Sequence, residues 1–192
     1  MTYGTFALDI ALNAGLVGAQ LERADLRKRN LSGANCTNAN FRGADFTDAD
    51  LRGAKFVRAD LSRACLLRAR CEGADFTGAD FSGAYMKGAN FANAKLVAAT
   101  LKRISAKNAI FVGADLSYAD LFCAELLGAK FNGANTFQLR NLAHAFFWWY
   151  MPIGGGKPSY VPKPGHERLM GSYLGNISLT ENAARRAWEE HD

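Results

Sequence analysis

Apolar residues recur at every fifth position of the chain from Leu16 to Thr136, without a slip in phase. We call this position the centre of a five-residue unit, and the 25 centres are mostly Leu or Phe. The position two before the centre is Ala in 23 of the units, and the exceptions are Arg29 and Ile104. The other three positions are mostly polar, and Gly is frequent two residues after the centre. Each unit therefore offers one small and one large side chain to an interior.

A period of five fits neither regular element, because a helix spaces apolar residues by three and four and a strand by two. It fits a coil that turns a corner in every unit and buries the centre together with the Ala two before it. A close-packed interior then leaves no room for a second large side chain. The unit with the large inner residue Ile104 has the small centre Ala106, which roughly conserves volume.

The phrase Ala-(Asp/Asn)-(Leu/Phe) recurs along the chain, for example at 24–26, 39–41, 44–46 and 49–51. It resembles the consensus of the pentapeptide-repeat family, Ala-(Asp/Asn)-(Leu/Phe)-X-X, over residues 16–136. The resemblance implies an all-β solenoid, a right-handed quadrilateral β-helix in which four units form one coil. The repeats then make about six coils, and a rod about 30 Å long at the usual strand spacing.

The repeats divide the chain into three predicted parts. Residues 1–15 form an N-terminal cap, because an open coil end exposes unpaired backbone groups. Residues 16–136 form the β-helix, within which Arg29 falls at an inner position where an unpaired charge is costly. Its side chain either reaches out of the first coil or bends the coil. Residues 137–192 form a mixed helix/coil C-terminal arm: a cap helix over 137–151, a Gly/Pro-rich stretch and a terminal helix.

Large apolar side chains in and before the predicted helix 137–151 form a candidate contact surface. On that helix Leu139, Leu142, Phe146 and Trp149 share one face, and the aromatic residues between them widen it. The predicted partner or dimer contacts are Leu139, Leu142, Phe146, Phe147, Trp148, Trp149, Tyr150, Phe122 and Leu127. Such a helix either caps the last coil or binds another chain. The family's dimers meet through C-terminal helices, so the resemblance supports the second reading.

The charge distribution bears on the partner. The chain has a formal net charge of +5 and a pI near 9.1, and residues 16–136 hold 17 Lys and Arg against 12 Asp and Glu. Sorted by every fourth unit, no face carries a stripe of one sign, and Asp45 and Asp48 form one local acidic patch. Evenly mixed charge favours solubility over the steering of a charged partner. Direct nucleic-acid binding is disfavoured too, because the Phe residues near the modest basic cluster around Lys102 are inward centres.

Candidate chemistry is sparse. Cys36 and Cys71 are centres and should be buried, whereas Cys65 and Cys123 should point outward, and no pair has zinc-ligand spacing. All three His residues lie after position 136, away from any nucleophile or carboxylate constellation. We therefore predict no enzymatic activity, no metal, no cofactor and no small-molecule substrate.

The sequence predicts a non-enzymatic rigid scaffold that presents its surface and its C-terminal arm to a protein partner or to further copies of itself. A structural component of a larger particle would fit the same description. The resemblance implies an alternative, since some family members mimic DNA with carboxylates and act on DNA gyrase. The positive net charge disfavours that alternative. With no signal peptide and no apolar run of about 20 residues, we expect a cytoplasmic protein without a membrane span, or one held within a particle.

Overall fold

The computed structural model describes residues 15–142 and residue 145. Between 15 and 140 the chain forms no continuous helix or strand, and from Gln20 onward each unit contributes a single bridging residue just before its centre. The bridges are parallel and join residues 20 apart, from Gln20 with Asn40 to Asp120 with Arg140. Four units therefore make one coil, as the resemblance to the pentapeptide-repeat family implies.

The coil has four faces, which we number in chain order by their bridging residues. These run at every twentieth position, from Gln20 to Arg140 on the first face, from Asp25 to Glu125 on the second, from Asn30 to Lys130 on the third and from Asn35 to Asn135 on the fourth. On each face the bridging residue and the residue after the centre lie outside. The residue two after the centre turns the corner.

Backbone hydrogen bonds hold neighbouring coils together. In a typical unit the centre Leu21 donates to Asn40 O at 2.8 Å, and Asn40 N donates back to Ala19 O at 2.8 Å. The corner residue donates to the next coil as well, and Ala24 N closes the turn on Leu21 O at 3.1 Å. Four of the five N–H groups in such a unit are thus paired within the backbone.

Where the bridging residue is Asp or Asn, the fifth N–H group, on the residue after the centre, donates to its side chain. Thr47 N donates to Asp45 Oδ1 at 2.9 Å, and Ser82 N donates to Asp80 Oδ1 at 2.8 Å. Only a short side chain with an acceptor oxygen reaches this donor, as in an Asx turn. This is the physical reason for the Asp or Asn of the repeated phrase.

Two substitutions of Asp80 distinguish the contribution of its charge to stability from that of its hydrogen bond. Asp80→Ala should lower the free energy of unfolding by about 1 kcal/mol, because Ser82 N loses its acceptor. Asp80→Asn keeps an acceptor oxygen and should unfold like the parent protein. Chemical denaturation of both variants measures the difference, and equal losses for Ala and Asn would assign the effect to the charge instead.

All corner residues from Gly18 to Gln138 adopt a left-handed conformation, with φ between 49° and 70°. Gly adopts it without steric cost, yet Arg63 and Ala98 also do so, with φ of 58° and 53°. Coil-to-coil hydrogen bonding therefore imposes this conformation on residues that disfavour it by themselves. Gly113 has an additional constraint, because an added Cβ would collide with the side-chain oxygen of Asn93 one coil below.

The core is a column of apolar side chains inside the coil. The inner Ala residues from Ala34 to Ala129 are at most 6% exposed. Phe91, Phe111 and Phe131 stack on the third face, with ring centroids 5.3 and 5.0 Å apart and interplanar angles of 11° and 10°. The predicted burial of centres and inner residues is confirmed by this core.

The two units with unusual inner residues fit the coil in different ways. Ile104 and Ala106 are both fully buried, which confirms the expected exchange of volume between them. Arg29 is exposed, while its carbonyl still accepts a regular 2.9 Å bond from Asp50 N. Its side chain therefore reaches out of the first coils, and the coil does not bend.

The predicted helix over 137–151 is wrong at its start. Residues 136–140 form a further coil unit: Tyr118 N donates to Phe137 O at 2.9 Å, and Arg140 N donates to Ala119 O at 2.8 Å. The preceding coil offers this segment backbone partners that the first turn of an isolated helix lacks. Residues 143–144 and 146–151 of that predicted helix, residues 1–14 of the predicted cap over 1–15, and the rest of the arm beyond residue 145 lie outside the described residues.

Candidate interaction surface

The predicted contact residues fall in different environments. Leu139 occupies the inner position of the added coil unit, and both Leu139 and Leu142 are partly buried against the core. Phe122 and Leu127 lie on the outside of the late coils and are half-buried. The predicted contacts at 146–150 lie outside the described residues. Their role as partner contacts stays a prediction.

Two exposed aromatic rings lie on the last coils. Tyr118 is 44% exposed and Phe137 is 58% exposed, and their rings meet edge to face with centroids 5.6 Å apart. Arg140 Nε donates to Tyr118 O at 3.2 Å beside them. We call Tyr118, Phe137 and Arg140 the aromatic patch. Exposed aromatic and Arg side chains are the types that anchor protein–protein interfaces.

Sequence reasoning missed Phe137 as an exposed coil residue, because it assigned Phe137 to a helix. Continuing the period of five past Thr136 would have found it, since Phe137 then follows a centre. In the structure, the residues that follow each centre of the fourth face form a column, and Phe137 is the last residue of this column. That column carries no charge and reads Val17, Thr37, Val57, Thr77, Val97, Ser117 and Phe137.

Several carboxylates are paired with Arg side chains. Arg27 Nη2 lies 2.5 Å from Asp25 Oδ2, and the hydrogen bonds from Arg27 lower the pKa of Asp25 to about 2. Asp48 binds Arg68 from the next coil at 2.7 Å, and that hydrogen bond likewise lowers the pKa of Asp48. These side chains are locally neutralised, so they do not form a row of free anions.

Asp50 is the least exposed carboxylate of this group, with 16% of its side chain accessible. The Arg52 side chain hydrogen-bonds to it at 2.8 and 2.6 Å, which lowers the pKa of Asp50. Arg70 Nη1 lies a further 3.6 Å from Asp50 Oδ2. Since the folded-state pKa is depressed, the stabilisation is present above the unfolded pKa of about 3.9 and is lost as pH falls through the folded value.

Asp50→Asn should therefore have a pH-dependent effect. The amide keeps the acceptor for Arg52 N but removes the charge that both Arg side chains bind. We expect a melting temperature lower by about 1–3 °C at pH 7 and a smaller difference from the parent at pH 2. Thermal melts across that range give the comparison. A constant difference at both pH values would show that lost packing, not the ion pairs, is responsible.

The thiols are structural. Burial raises the pKa of Cys36 to about 12 and raises that of Cys71 well above its ordinary value, so neither forms a thiolate at neutral pH. Cys65 and Cys123 are partly exposed, which confirms the predicted division of the four Cys residues. Across residues 15–142 and 145, no three His, Cys, Asp or Glu side chains group as metal ligands. In the same residues no helix has the length and apolar character needed to cross a membrane.

The protein belongs to the pentapeptide repeat family. The family model, "Pentapeptide repeats (8 copies)", matches residues 19–58, 30–66, 54–93, 64–103 and 99–135. The fold of this family is a right-handed quadrilateral β-helix, and the stacked Phe core of this chain accords with it. Pentapeptide repeat proteins are generally non-catalytic.

Solved structures with similarity include three pentapeptide repeat proteins. HetL, involved in heterocyst differentiation regulation in Nostoc sp. strain PCC 7120, is 26% identical with a TM-score of 0.44, and the match covers 70% of this chain and 76% of that one. Rfr23 from Cyanothece 51142 is 16% identical with a TM-score of 0.24, covering 73% and 94%. Trypsin-treated QnrB1 (R167E), a plasmid-mediated fluoroquinolone resistance protein, is 24% identical with a TM-score of 0.35, covering 61% and 64%. A search of curated proteins found no match.

Proposed function

We propose that the protein is a non-enzymatic rigid scaffold that binds a protein partner through the aromatic patch and the arm that follows it. The observation that carries this proposal is the exposed Tyr118–Phe137 pair. Covering exposed aromatic rings with a partner removes apolar surface from water and is therefore favourable. Arg140 adds a fixed cation beside the rings.

The rod supports this role through its rigidity. Backbone bonds tie each coil to the next, and the core runs unbroken from Leu26 to Phe131. A patch on such a body loses little conformational entropy when it binds, which favours affinity. The chain leaves the coil directly after Arg140, so the predicted contacts from Phe146 to Tyr150 follow the patch closely in sequence. A role in a larger assembly, in the cytoplasm or in a particle, is part of the same proposal.

The gyrase-directed alternative has less support. A DNA mimic needs rows of unpaired carboxylates, whereas Asp25, Asp48 and Asp50 are bound by Arg side chains. The net charge of +5 opposes it as well. Added protein should leave the supercoiling activity of purified gyrase unchanged, and inhibition at low stoichiometry would restore the alternative.

Site-specific photocrosslinking tests the scaffold proposal in the cells that encode the protein. A benzophenone amino acid in place of Phe137 should give a discrete adduct of higher mass, and Tyr118→Ala should reduce its yield. The control carries the same amino acid in place of Ser62, which follows the centre on the first face. Adducts of equal yield at both positions, or none at Phe137, would contradict a binding role for the patch.

A further inference from the structure

The bridging residues of the fourth face alternate in charge. In chain order they are Asn35, Lys55, Asp75, Lys95, Asp115 and Asn135. Within the chain the ion pair in this row is weak, because Lys95 Nζ lies 3.9 Å from Asp75 Oδ2 and the Lys95 side chain is 66% exposed. Asp115 Oδ1 accepts hydrogen bonds from Ser117 N and Asn135 Nδ2, both at 3.0 Å, but neither Lys55 nor Asp115 forms an ion pair with another described residue. The two charges at the ends of the row are thus available to groups outside the rod.

A second copy of the chain supplies complementary groups if it lies face to face and antiparallel. The two-fold axis then runs across the fourth face, midway between the coils of Asp75 and Lys95. It places Lys55 opposite Asp115 of the second copy, and Asp75 opposite Lys95 of the second copy. Every charge in the row meets its opposite, and the relation is self-complementary, as a two-fold interface requires.

The same two-fold axis also brings together the uncharged columns of residues that follow the centres in the two copies. It places Val57 opposite Ser117 of the second copy and Thr77 opposite Val97. These side chains are short, and all four are buried or half-buried in the isolated rod, so the middle of the face is flat. Flat columns of short side chains let two sheets approach closely.

The corner column obeys the same symmetry. Gly78 and Ala98, the smallest residues available, face each other at the axis. Arg58 comes opposite the exposed ring of Tyr118, an arrangement that allows a cation–π contact. The equivalent operation on the second face would place Asp25 against Glu125, so like charges oppose pairing there.

We propose that the fourth faces of two copies pair antiparallel through this row. The matched span from Asn35 to Asn135 covers five coil steps, or about 24 Å at the usual strand spacing. A face of this length offers little surface compared with the roughly 1,200–2,000 Å² that a stable dimer buries in all. We therefore expect a weak, reversible pair with a Kd on the order of 0.1 mM. The inference does not depend on the partner of the aromatic patch, but because the pairing covers Tyr118, the second copy and that partner compete for the fourth face.

Sedimentation equilibrium of the full chain over a concentration series tests the pairing. Asp75→Asn with Asp115→Asn removes both negative charges but keeps the acceptors of Thr77 N and Ser117 N, each now 3.0 Å from a carboxylate oxygen. It should weaken association at least about tenfold. The matched control, Asp45→Asn with Glu125→Gln, removes two carboxylates from the second face and should associate like the parent.

Charge exchange gives the stronger test. Lys55→Asp with Lys95→Asp makes the row acidic, and Asp75→Lys with Asp115→Lys makes it basic; each protein alone should be monomeric. Mixed in equal amounts, the two should form a heterodimer, and one chain with all four changes should self-associate like the parent. A monomeric parent at millimolar concentration, or association that survives the Asn double variant, would overturn the proposal. The latter result would point to the C-terminal arm and leave the scaffold proposal standing.

Discussion

Phe111→Ala should lower the free energy of unfolding by about 3–5 kcal/mol, the usual cost of truncating a buried Phe. Phe111 is fully buried between Phe91 and Phe131, with centroid distances of 5.3 and 5.0 Å. The cavity would lie between two rings held by rigid coils, so the site has little freedom to collapse. A loss of this size is a large part of the ~5–15 kcal/mol that stabilises a typical domain.

Chemical denaturation measures the loss, and Phe137→Ala is the matched control. Phe137 is an aromatic residue of the same type, but it is 58% exposed, so its truncation should leave stability within about 0.5 kcal/mol of the parent. Because stacked coils contact only their neighbours, hydrogen exchange should show the largest loss of protection in the coils around Phe111. Similar losses from both variants would contradict the assignment of Phe111 to the core.

Ala79→Phe should destabilise the middle coils by at least about 1–3 kcal/mol, the usual cost of overpacking, and more if the coil opens. Ala79 is fully buried at an inner position, and the centres Phe76 and Phe81 on either side fill the space beside it. A ring at position 79 has no free volume, so the backbone must move and break inter-coil bonds such as Thr100 N to Ala79 O at 2.9 Å.

The matched control for this change is Ala92→Phe. Ala92 follows a centre on the third face and points outward, so a ring there meets solvent. Its melting temperature should stay within a few degrees of the parent value, while that of Ala79→Phe falls sharply. If Ala79→Phe melts like the parent, the inward orientation of the Ala residues is wrong.

The sequence determined much of the fold because each unit repeats one local solution. The spacing of Leu and Phe identified the buried centres, and Ala identified the inner positions, since both follow from volume alone. The exchange between Ile104 and Ala106 was predictable for the same reason. The direction of Arg29 was left open because it depends on how tightly the first coils pack.

The tertiary structure decided what depends on contacts between residues 20 apart. The coil extends to Arg140 because the preceding coil offers backbone partners there, which local helix propensity at 137–151 does not reveal. Arg63 and Ala98 adopt left-handed corners because inter-coil bonds outweigh their own preference. The Tyr118–Phe137 pair and the alternating row from Lys55 to Asp115 likewise exist only once the coils are stacked. The sequence by itself thus determined what lies inside the rod, and the stacking decided which residues meet on its surface.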